Sequence, residues 1–257
     1  MRAHVWFVSL VPLLFSAFAF ASAPELVTDR PDQTESTEIV PRGWVQTELG
    51  FGDVDRGDAT AMALVRVGLT ERVEFRAGLD EVFLSGPDDA IDLGLGAKIR
   101  LSDENGSRPA IAVLAALNQK IGDSLSPSSD GVRPSFRFVF SHTLSERLSL
   151  GYNAGVSWDE SFSPLGGLPA AFDRDLLSRF VWTAALGIGA TDRVGFFVEA
   201  FGDSGLSDHG RTETALDGGV TFLVRPNIQL DLFVGTGVSN AAPDWLAGAG
   251  VSFRLPE

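Results

Sequence analysis

The stretch LTERVEFRAGL, residues 69–79, holds the fold in miniature. Leu69 ends one apolar run, Thr70, Glu71 and Arg72 are polar, and Val73, Phe75, Ala77 and Leu79 then alternate with Glu74, Arg76 and Gly78. Strict alternation puts each set of side chains on its own face of a pleated strand. A polar gap this short turns the chain straight back on itself as a tight hairpin. The unit returns at LSERLSL (144–150) and ATDRVGF (190–196), with VRPNIQL (224–230) as a variant.

Working outward from these hairpins, period-two runs start at Val45, Val65, Val73, Leu93, Ile111, Phe136, Leu148, Phe180, Val194, Leu216, Ile228 and Trp245. The tight turns alternate with longer polar stretches at 53–58, 82–90, 122–131, 157–176, 203–213 and 240–244, and 102–108 reads as a longer turn on the short side. In the strands the residues between the apolar ones include Glu48, Arg66, Arg76, Asp92, Lys98, Arg137, Glu199, Asp217 and Asp231. A soluble barrel would enclose the apolar face and leave these charges in water. Apolar residues outward in lipid, charges inward, and turns short at one end and long at the other is the pattern of a membrane barrel. The expected fold is all-β, a transmembrane antiparallel up-and-down β-barrel of about twelve strands. Trp44, Trp158, Trp182 and Trp245 are expected near strand ends, where amphipathic rings meet the membrane interface.

Composition narrows the alternatives. Beyond the N-terminus there is no run of about twenty apolar residues, so no helical span is available. Net charge is −14 with no basic patch, which argues against a nucleic-acid partner. With no cysteine among 257 residues, disulfides and thiolate chemistry are excluded, as suits a chain bound for an oxidising compartment. Residues 1–21 read as an export signal: Arg2, an apolar run from Val5 to Phe20, then small residues. Cleavage is expected after Ala21 rather than Ala23, which would leave Pro24 first. Residues 22–42 then form a periplasmic or lumenal segment, and 43–257 the barrel.

The inward charges listed above are the candidate pore lining, and they are expected to pair across neighbouring strands. The alternative is a set of ion pairs that fills a closed, structural barrel. In the segment before the first strand, Asp29, Arg30, Pro31, Asp32 and Glu35 are candidates to fold into the barrel and meet those charges; the alternative is a solvated tether. A membrane lipid hydrolase would need a serine beside a histidine on one face. Ser141 and His142 are adjacent and so face opposite sides of a strand. No enzyme, cofactor or metal site is expected. The acidic residues of the long connections are read as a solvated surface.

The N-terminal run Thr28-Asp29-Arg30-Pro31-Asp32-Gln33-Thr34-Glu35-Ser36, followed by Val40-Pro41-Arg42-Gly43, resembles the opening of the family named for the meta-pathway of phenol degradation. The likeness continues through the repeated turns. It implies an outer-membrane channel or transporter for small solutes, aromatic or hydrophobic ones among them, in contact with outer-membrane lipid and lipopolysaccharide and inserted by the barrel assembly machinery. Barrels of this kind end on an aromatic that the machinery reads; here Phe253 is followed by Arg254-Leu255-Pro256-Glu257, so either Phe253 serves that role four residues early or recognition is weaker than usual.

Overall fold

The computed structural model describes residues 26–54, 59–83, 91–121, 132–160, 176–206 and 212–256. The export signal lies outside them, as do most acidic residues of the long connections. Twelve strands are formed. The first six are β1 (Val45–Val54), β2 (Thr60–Thr70), β3 (Val73–Phe83), β4 (Ile91–Ser102), β5 (Ala110–Ile121) and β6 (Val132–Ser145). The rest are β7 (Leu148–Glu160), β8 (Leu176–Gly189), β9 (Val194–Gly205), β10 (Thr212–Arg225), β11 (Ile228–Gly237) and β12 (Leu246–Leu255). Each pairs antiparallel with its neighbours in sequence, and β1 pairs with β12, with Leu49 opposite Val251, closing the barrel. Among the described residues no helix is long and apolar enough to cross a membrane.

The repeated turns have a common cause. At Thr70, Ser145 and Thr191 the side-chain hydroxyl accepts the backbone N–H of Arg72, Arg147 and Arg193 respectively. A hydroxyl that holds the amide two residues on fixes the bend locally. Register shifts at Gly68/Thr70, Thr143/Ser145 and Leu223/Arg225 lie beside three of the short turns, where an extra residue sharpens the local twist.

Burial is inverted relative to a soluble barrel. Glu48, Arg66, Glu74 and Lys98 are 0% exposed, whereas Leu95, Leu232 and Val234 are 58%, 57% and 67% exposed. Buried charge with exposed aliphatic surface is the informative combination, and it requires an apolar solvent around the barrel. The lumen is not uniformly polar, however. Ala112, Leu114 and Val139 form a small apolar cluster on the inner face of β5 and β6.

Five strand boundaries differ from the sequence reading. β7 continues to Glu160 and β8 begins at Leu176, so the connection expected at 157–176 is 161–175. Likewise β1, β3 and β9 run past Asp53, Val82 and Asp203. Backbone pairing does not depend on side-chain polarity, so the ladder persists beyond the apolar band that marked the strands. For the same reason Trp182 lies well inside β8 rather than at its end, while Trp44 and Trp245 immediately precede β1 and β12.

Candidate functional site: a sealed lumen and its chamber

The chain before β1 folds back into the barrel at the short-turn end. Gly43, at φ 79°, takes the left-handed conformation that lets the backbone reverse. The Pro41 carbonyl accepts the Trp44 N–H at 3.0 Å, and Gly43 N–H donates to the Gly68 carbonyl at 2.9 Å. Gly68 is needed here, because a Cβ would lie 2.1 Å from the Pro41 oxygen and 2.2 Å from that of Val40. The segment passes directly over the wall of β2, and Leu26, Asp29, Arg30, Thr34, Thr37 and Val40 are all buried.

Its charged side is anchored to β1–β4. The Asp29 carboxylate lies 3.0 Å from Arg66, 2.6 Å from Arg76 and 2.8 Å from Lys98, while its backbone N–H donates to Glu48. Glu35 pairs with Arg76 and Lys98 at 2.8 and 3.2 Å. Glu74 holds Arg66 at 2.9 Å and accepts the Val40 N–H at 2.9 Å. Pairing across adjacent strands occurs, as between Arg66 and Glu48, but the segment supplies carboxylates that the wall cations share. Asp29 lies on this segment rather than on a strand. Burial disfavours its ionised form, but Arg66, Lys98 and Arg76 outweigh that and hold its carboxyl well below the usual carboxylate range.

On the opposite side the contacts are hydrogen bonds to β7–β9. The Gln33 N–H donates to Glu199 at 2.8 Å, and the Thr34 hydroxyl also donates to Glu199. The Thr34 and Thr183 hydroxyl oxygens are 2.8 Å apart. The Glu35 N–H donates to the Asn153 side-chain oxygen at 2.7 Å, and the Asn153 amide returns a bond to the Glu35 carbonyl. Between the two sides, Arg30 reaches across β1 and β12 to Asp231 on β11 at 3.1 Å. It lies over Gly50 and Gly250, which face each other across the closing seam. A Cβ at Gly50 would fall 2.0 Å from the Arg30 guanidinium.

Beyond the segment, toward the long connections, the lumen opens into a chamber of about 760 Å³. Its floor includes Asp29, Arg30, Asp32 and Glu35; its wall includes Asp92, Arg133, Leu114, Val181, Phe201 and Phe233. A smaller cavity of about 140 Å³ is lined by Thr34, Ser36, Ser141, Ser149, Gly151 and Ala185, and also by Asp32 and Glu35. The segment's hydrogen-bonded side therefore stands between two cavities.

Of the inward charges singled out from sequence, Glu48, Arg76, Asp92 and Arg137 line the chamber. Arg66, Lys98, Glu199 and Asp231 are bound by the segment instead, and buried Asp217 is the cross-strand partner of Glu199. Of the N-terminal residues, Asp29, Arg30 and Glu35 make ion pairs, while Pro31 and Asp32 line the chamber floor. Sequence reading missed the chamber's apolar wall. Phe201 follows the outward Ala200, and Phe233 lies between the outward Leu232 and Val234, so parity alone put both rings inside. Ser141 accepts the Thr37 N–H inside the barrel, while His142 stacks near Tyr152 at 6.1 Å between ring centroids. The two do not form a nucleophile–base pair, and His209 lies outside the described residues.

The family described as "Putative MetA-pathway of phenol degradation" matches residues 28–255. The chain belongs to this family. The match begins at the segment that seals the lumen and ends with β12. No curated protein matches the sequence. Among solved structures, this family member is similar to the NanC porin, at 14% identity and a TM-score of 0.56, covering 82% of this chain and 100% of that one. It is similar to the KdgM porin at 10% identity and a TM-score of 0.55, covering 81% and 98%. It also resembles the translocator domain of the autotransporter NalP from Neisseria meningitidis, at 13% identity and a TM-score of 0.53, covering 82% and 87%. At these identities the likeness establishes the fold: a closed antiparallel barrel of the porin type.

Proposed function

We propose that the protein is an outer-membrane channel for passive passage of small solutes, with its N-terminal segment as the gate. One observation carries the reading: a chamber of about 760 Å³ ends on a segment whose far side faces a second cavity, with Asp32 and Glu35 lining both. The charged contacts to β1–β4 are the fixed anchor. The hydrogen bonds of Gln33, Thr34 and Glu35 to β7–β9 are the side that opens. Moving that side by a few ångströms joins the two cavities without breaking the ion pairs of Asp29. The apolar belt contacts outer-membrane lipid and lipopolysaccharide, Phe253 is what the assembly machinery reads, and residues 1–21 direct export. No enzymatic role, cofactor or metal forms part of this reading.

The competing reading, a closed structural barrel, draws on the same segment, because its contacts fill the short-turn end. Conductance across a planar bilayer separates the two. The channel reading expects brief openings from the parent and more frequent openings from Thr34→Val, which removes the hydroxyl contacts to Thr183 and Glu199 on the side that opens. A parent and variant that both stay silent favour the closed barrel.

A further inference from the structure

Among the described residues four cations line the chamber: Arg30, Arg76, Arg133 and Arg137. Three are neutralised, Arg30 by Asp231, Arg76 by Asp29 and Glu35, and Arg133 by Asp92. Among the described residues Arg137 makes no hydrogen bond or ion pair. It sits in the middle of β6, half-buried, on the inner face. Its cross-strand partners are Leu114 on β5 and Gly155 on β7, and Gly155 in turn faces Val181 on β8. The glycine makes a place for the arginine stem: a Cβ there would lie 2.9 Å from the Arg137 Cγ.

We infer that Arg137 is the anchor of a solute-binding site that takes a carboxylate carried on an apolar, ring-sized body. This rests on the channel reading and names its solute class. An unpaired guanidinium offers a planar fork of donors that matches a carboxylate in two parallel hydrogen bonds. Flanking it with aliphatic walls lowers the local dielectric, which strengthens that pairing. Leu114, opposite Arg137 on β5, and Val181, in the same row on β8, line the same chamber together with Phe201, the usual make-up of a small-molecule site: apolar lining with a few placed polar groups. A neutral solute of the same shape would leave the guanidinium without its partner. A purely hydrophilic anion would gain nothing from the apolar wall.

The test is equilibrium dialysis of benzoate and benzamide against the refolded barrel in detergent at pH 7, with the micelle blank subtracted. The two probes share ring and size and differ in charge. The parent is expected to bind benzoate about ten- to a hundredfold more tightly than benzamide, the range for a charge-assisted pair. Arg137→Gln should bring the two within about twofold of each other, while Arg72→Gln, on an exposed turn outside the lumen, should keep the parent's ratio. If Arg137→Gln does not fold, Arg137→Lys is read instead: it keeps the charge without the fork, and its ratio should fall below the parent's. A parent that binds both probes alike overturns the site. So does a ratio that survives substitution at Arg137. Because dialysis needs no conduction, a barrel that conducts but ignores benzoate overturns this site alone, and one that binds benzoate but never conducts overturns the channel alone.

Discussion

Asp29 is the residue on which the sealed lumen turns. Three cations converge on one buried carboxylate, and removing one partner of a buried pair costs about 3–5 kcal/mol. Because Glu35, Glu48 and Glu74 still neutralise Arg66, Arg76 and Lys98, Asp29→Asn should fall at the lower end, about 3 kcal/mol. Hydrogen exchange of the peptide spanning 26–42 reads this directly: protection should fall in the variant while that of β5–β8 stays. Acid should act in the same direction. The docked segment holds Asp29 with a lowered pKa, so it binds fewer protons than the released one. Docking is therefore fully supported above the unperturbed value near 4 and weakens as pH falls through the docked value. Segment protection that rises on acidification from pH 6 to pH 3 would contradict this. Gly50 gives a second handle. Gly50→Ala places a methyl against the Arg30 guanidinium and nothing else among its nearest atoms, whereas the nearest atom to a Cβ at Gly52 is 3.6 Å away. The first should move the guanidinium off Asp231 and lower protection locally around Arg30, and Gly52→Ala should not. That the residues of TDRPDQTES were candidates to meet the inward charges was legible only through the family resemblance. Which carboxylate meets which cation was not, because it depends on the registers of β1 to β4 together.

At the scale of the strands, facing is the testable quantity. Leu232 points into lipid and Ser135 into the chamber. Leu232→Arg should cost about 2–4 kcal/mol of insertion if the site is near mid-membrane, and Ser135→Arg little. Equal folding yields in liposomes would refute the assignment. Orientation follows from connection length. A tag inserted between Ala242 and Trp245 should be reachable from outside whole cells, and one at 191–193 should not. The reverse labelling would invert the barrel. Strand number, pairing order and the hydroxyl-capped turns were legible because period-two alternation and the T-E-R and T-D-R repeats are local signals. Strand ends were not, since Ser157–Glu160 carry no apolar alternation yet pair with Leu176–Arg179 of β8.

For the whole molecule the question is whether the sealed lumen opens. Arg137 was legible in the sequence as an inward charge, but the apolar lining that accompanies it was not, because Leu114, Val181 and Phe201 come from separate strands that only the folded sheet brings into one chamber. The chain's lack of cysteine allows a clean test of the gate. Thr34 and Thr183 have hydroxyl oxygens 2.8 Å apart, on the segment and on β8, so Thr34→Cys with Thr183→Cys places one thiol pair at the side proposed to move. The decisive measurement is single-channel conductance of this double variant in a planar bilayer, oxidised and then reduced in place. A segment that gates the lumen gives silence when the pair is oxidised and openings on reduction, with each single variant indifferent to redox state. Conductance unchanged between the two states would show that the segment is not the gate.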